Sequence, residues 1–109
     1  MQHEDIKLYN LEIISISCKK ILKIVDQNDA NEFENDSILQ DVVLMNLIRI
    51  GECAIRLSKY FSDEVNDHFK GPISMRHKIA HGYDVLLMSA VYAIEKEDVR
   101  SLSNFIKTI

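Results

Sequence analysis

An all-α fold, a bundle of four to five helices, is what three features of the sequence jointly predict. Apolar residues recur at intervals of three and four along most of the chain, the period of a helix with one buried face. No stretch shows the strict alternation that a half-buried strand requires. Glycine and proline are scarce, three and one in 109 residues, which favours long elements over many short ones joined by turns.

The first helix is marked by Ile6, Tyr9, Ile13 and Ile16 and by Ile14, Cys18, Ile21 and Val25, with Lys19, Lys20 and Lys23 on the wet side. The acidic stretch DQNDANEFEND then reads as a loop, pinned to the core by Phe33, its only large apolar group. Ser37 with Gln40 has the form of a capping box and starts the second helix. Its stripe runs from Leu39 through Val43, Ile50, Cys53 and Leu57 to Tyr60 and Phe61. Gly51 interrupts that stripe at a cost in helicity, and close approach of another backbone is the expected compensation. SDEVNDHFKGP is a connection or a short helical turn, ended by Gly71 and Pro72, and Pro72 suits the start of a third helix. That helix carries Ile73 to about His81, with Gly82 placed to terminate it. The last pattern runs from Leu87 through Val91, Tyr92, Val99 and Leu102 to Ile109. EKED in its middle is either a solvated face or a kink.

A chain of 109 residues is expected to form one domain, 1–109, around a single core. Hydrophobic residues make up 47% and charged residues 28%, a balance that argues against disorder. A net charge of −4 argues against coating nucleic acid by bulk attraction, so phosphate binding needs a local cluster of cations. Cys18 and Cys53 fall within apolar helical patterns and read as small buried hydrophobes, not as a disulfide or metal pair. No leader-like segment follows MQHEDIK and no apolar run approaches a membrane span, so the expected setting is a reducing cytoplasm, away from membranes.

The chemistry concentrates in MRHKIAHGY, residues 75–83. Arg76 offers a permanent, planar charge matched to phosphate, and His77 and His81 can take and give protons near neutral pH. Together they suit cleavage of an RNA phosphodiester, in which a base removes the 2′-hydroxyl proton and a cation stabilises charge building on the phosphoryl oxygens. That scheme calls for no metal and no cofactor. On a straight helix, five residues at about 100° each set His81 roughly 140° around from Arg76. The two converge only if the helix frays near Gly82 or a second chain completes the site. Arg, Lys and His on a short helix are more commonly a solvated face than a catalytic site. A zinc reading of HKIAH is weak, because Lys78 stands where a metalloprotease carries glutamate and only His68 and Asp84 offer themselves as a third ligand. Glu52 shares a helical stripe with Arg49, Arg56 and Lys59 and reads either as an exposed salt-bridged face or as a group that orients Arg76 or His81.

RHKIAHGY resembles the Arg-x-x-x-x-His-x-Tyr signature of HepT-like proteins, within the HEPN class of small helical ribonucleases. MNLIRIGECAIRLSKYF is similar to the second long helix of that family, with Asn46, Leu47, Ile50, Gly51, Glu52, Ala54, Arg56, Leu57 and Ser58 at the matching positions. The likeness runs from Leu8 to the closing helix. It implies a toxin of a toxin–antitoxin system, a homodimer with both signature segments facing one cleft, and an antitoxin of the MNT nucleotidyltransferase type. Arg76 and His81 would be the catalytic pair, His77 a supporting polar group, and Tyr83 the position the antitoxin modifies with AMP. The chain departs from the family in lacking a tryptophan before the arginine, with Phe69 nearest, and in the short connection after Tyr83. The alternative is a non-catalytic helical module that binds a nucleotidyltransferase partner.

Overall fold

The computed structural model describes residues 2–82 and 86–109, and among these every regular element is helical. α1 spans His3–Gln27, α2 Ala30–Glu34, α3 Ser37–Leu57, α4 Asp63–Asn66, α5 Lys70–Gly82 and α6 Met88–Ile106. Tight 3-10 turns at Ser58–Tyr60 and Asp67–Phe69 flank α4. The four long helices, α1, α3, α5 and α6, are the all-α bundle expected, with α2 and α4 as short links.

Local chemistry decides the links. The stretch expected to be a loop folds α2, because Asp29 and Glu32 form a reciprocal capping box with hydrogen bonds of 2.8 and 3.0 Å. Phe33 is fully buried and anchors this segment as expected. The box expected at Ser37 and Gln40 does not form. Asp36, one residue upstream, caps α3 by accepting from the amides of Ile38 and Leu39 at 3.0 and 3.2 Å. A carboxylate suits the positive end of a helix, and it leaves the Gln40 amide free to donate to the carbonyls of Phe33 and Glu34. α3 also ends earlier than its apolar stripe, so Lys59, Tyr60 and Phe61 lie beyond it.

Core formation follows the apolar stripes. Ile14, Cys18, Ile21 and Val25 of α1 meet Val43, Leu47, Ile50 and Ala54 of α3, and Val91, Val99 and Leu102 of α6 close the other side. Both cysteines are free and buried, and burial pushes the Cys18 thiol up to about 12. Tyr92 donates to the carbonyls of Val25 and Asn28 at 3.0 and 2.7 Å, and Arg100 pairs with Asp26 at 2.6 Å, fastening the end of α1 to α6. α5 packs on α3 and scarcely touches α6.

Two stripes behave differently from expectation. On α1 the set beginning with Ile6 joins the core only in part: Ile13 packs against it, while Ile16 is 52% exposed and Tyr9 is similarly open. EKED is neither a kink nor a uniform solvated face, because α6 runs through it uninterrupted and turns Glu95 inward. No helix among the described residues is long and apolar enough to cross a membrane.

Candidate active site

The site is built where α5 crosses α3. Gly51 has no side chain, and a Cβ there would collide with the Cβ of Arg76 and come within 2.9 Å of the Pro72 carbonyl oxygen. The glycine thus lets the two helix backbones approach closely, the compensation anticipated for its cost in helicity. Arg76 is the residue pressed against it. α5 begins at Lys70, so Gly71 and Pro72 lie inside its first turn instead of ending the preceding segment. Proline is tolerated there because that amide has no partner within the helix.

One residue along α3 from Gly51, Glu52 faces the same crossing. Its Oε1 lies 3.9 Å from Nη2 of Arg76, and its Oε2 lies 3.9 Å from Nη2 of Arg56. These separations give electrostatic pairs, longer than hydrogen bonds, and all three side chains are partly exposed. Nε of Arg76 is buried without a hydrogen-bond partner among the described residues. The guanidinium is therefore placed by steric fit and charge, with donors left over for an anion.

A depression of about 280 Å³ opens beside this pair, lined by Tyr9, Ile13, Arg49, Glu52, Cys53 and Arg56. Arg56 reaches across it to Oδ1 of Asn10 at 3.5 Å. Burial raises the Cys53 thiol, opposed by Arg56. Arg49 and Arg56 thus line a crease with Glu52, the carboxylate beside Arg76, on a stripe read from the sequence either as a salt-bridged face or as the support of Arg76 or His81. The sequence assigns Tyr9 a place only in the apolar stripe of the first helix and assigns Asn10 none. A buried asparagine in an otherwise apolar helix stripe is the one signal that marks this wall.

The histidines look elsewhere. His77 and His81 are exposed on the outer face of α5, their rings 6.4 Å apart and inclined by 18°, one helical turn from each other. α5 remains helical through Gly82, so no fraying brings His81 round to Arg76 within the chain. No interaction among the described residues links the two side chains. No group of three potential metal ligands gathers among the described residues either. Tyr83 and Asp84 lie outside the described residues.

An arginine wedged at a helix crossing, flanked by a carboxylate and followed by two histidines on the open face, defines an all-α protein with a polar α5 over a close-packed α3. A family model described as Ribonuclease HepT-like matches residues 14–109. The chain belongs to this family. No solved structure matches it.

Proposed function

We propose that the protein is an endoribonuclease toxin that works as a homodimer, with Arg76 and His81 as its catalytic pair. Membership of the HepT-like ribonuclease family supports RNA cleavage in general. The observation that carries the finer reading is the Gly51–Arg76 crossing, which fixes an underused guanidinium beside a crease of two further arginines. His81 removes the proton of a ribose 2′-hydroxyl, the 2′ oxygen attacks phosphorus, and the bond to the 5′ oxygen breaks. Arg76 holds the phosphoryl oxygens while charge accumulates on them. In-line attack sets the attacking and departing oxygens on opposite sides of phosphorus. At each site His81 takes the first proton, and water protonates the departing 5′ oxygen. A two-fold dimer would let each site draw Arg76 from one chain and His81 from the other.

Exposed apolar residues on α1 and α3 support the dimer reading: Ile16 and Met45 are 52% and 56% exposed, Tyr9 and Val42 are exposed too, and Tyr9 also lines the crease. In this reading a second copy covers these residues and supplies the His81 that works with Arg76 of the first. His77 supports His81 from one turn away, and Glu52 orients Arg76.

In this reading the antitoxin is a nucleotidyltransferase of the MNT type that transfers AMP to Tyr83. A bulky anion two residues from His81 blocks the cleft and repels the RNA backbone. Intact mass measured with and without the neighbouring transferase tests this, the expected result being a gain of one or more AMP units on Tyr83.

Purified, unmodified protein is expected to cut RNA in the presence of a chelator. Arg76→Ala and His81→Ala are expected to lower the rate by a factor on the order of 10² or more with unchanged helicity. Equal cutting by both variants would overturn the roles. A second reading, a helical module that binds the transferase without cutting RNA, draws on the divergence of Arg76 and His81 within one chain. It is supported if no RNA is cut while a stable complex with the transferase forms.

A further inference from the structure

The gap between α5 and α6 holds a cavity that the proposed reaction does not use. α5 scarcely touches α6, and the opening left between them is about 270 Å³, walled by Leu47 and Ile50 of α3 and Val99 and Leu102 of α6. These four side chains are buried and bring no polar atoms of their own. It shares no residue with the Arg76–Glu52 pair.

One charge stands in this apolar setting. Glu95 lines the cavity and is only 6% exposed. Among the described residues nothing hydrogen-bonds its carboxyl, and no cation comes within ion-pair distance. Burial pushes its pKa up to about 7, Asp98 on the same helix adds to that, and Lys78 of α5 opposes it from a distance. At the rim stand Asp98 and His68, whose ring is stacked on Phe105 at 3.7 Å and 9°. The charged or titratable groups around Glu95 are thus Asp98 from α6, Lys78 from α5 and His68 from the turn before α5, while α3 contributes apolar wall alone.

A carboxyl that meets no protein donor and opens onto a largely apolar cavity is poorly solvated, a cost that a ligand recovers if it brings a donor. The two carboxyl groups exclude phosphate and other anions. The apolar walls favour a hydrocarbon body over a bare hydrated ion, and the volume limits that body to the size of an amino-acid side chain. We propose that this cavity binds a small alkylammonium ion, its head on Glu95 with Asp98 behind it and its chain along Leu47, Ile50, Val99 and Leu102. A free amine and a lysine side chain share this chemistry, and the test separates them.

The full chain, labelled with ¹³C at glutamate carboxyls, is titrated with n-butylammonium chloride, with n-butanol and with Nα-acetyl-lysine methylamide. Butylammonium is expected to bind saturably and to lower the Glu95 titration midpoint by about one pH unit or more, since a bound cation favours the charged form. Butanol, of the same shape without charge, is expected to bind about tenfold more weakly or worse and to leave the midpoint in place. Glu95→Gln is expected to weaken butylammonium about tenfold, while its thermal midpoint at pH 8 confirms a folded chain and its RNA cleavage stays at the parent rate. Binding of the lysine derivative as tight as butylammonium assigns the site to a protein side chain, and binding of the free amine alone assigns it to a small amine. Equal binding of butanol, unchanged binding in Glu95→Gln, or no saturable shift would overturn the proposal.

Discussion

Glu95 loses its water when α6 docks, and that loss has a measurable sign. The folded chain holds this proton to about pH 7, whereas an ordinary glutamate releases it near 4.5. Between those values the folded state binds more protons than the unfolded one, so stability falls as pH rises through that window. Below it the carboxyl is neutral in both states. Above it the full penalty stands, on the order of 3 kcal/mol for a group 6% exposed. Glu95→Gln is therefore expected to raise the thermal midpoint at pH 8 by several degrees and to change it little at pH 4. Equal effects at both pH values, followed by circular dichroism, would show that the carboxyl is solvated after all. The sequence hides this residue because EKED offers four charged side chains in a row. Its spacing singles it out all the same, for Glu95 stands four residues from both Val91 and Val99 and so falls on the buried stripe of α6. Arg76 is the opposite case, since its neighbours Gly51 and Glu52 are adjacent in the chain and their pattern already marks a close crossing.

Between elements, Gly51 is the hinge of the account. In a helix with free space, glycine to alanine stabilises by up to about 1 kcal/mol. Here the added methyl meets Arg76 and the Pro72 carbonyl, so Gly51→Ala is expected to destabilise by about 1–3 kcal/mol and to lower RNA cleavage as α5 is pushed away. A thermal midpoint higher than the parent's would contradict the close crossing. The helices themselves were legible because apolar residues at threes and fours record a buried face, and the four long helices fall where those stripes lie. Ends were harder. Asp36 and Ser37 both have capping side chains, and nothing in their order says that the carboxylate wins. α2 lay hidden in an acidic stretch because a five-residue helix has too few positions to show a period.

For the whole molecule, Ile16 and Met45, exposed on α1 and α3, are the residues on which the proposed dimer rests. Periodicity reported both apolar faces of α1 but not which one the chain buries more fully. Met45→Glu changes a half-exposed side chain and spares the monomer's core. Sedimentation is expected to move from a dimer to a particle of 12.6 kDa, with cleavage lost alongside. A dimer that persists with full activity would place the interface elsewhere.

The most direct measurement mixes two inactive proteins. If Arg76 of one protomer works with His81 of the other, refolding Arg76→Ala with His81→Ala gives mixed dimers in which one of the two sites is intact. With random pairing, RNA cleavage is expected to return to about a quarter of the parent rate. No recovery from mixtures shown to contain mixed dimers would contradict a site shared between chains.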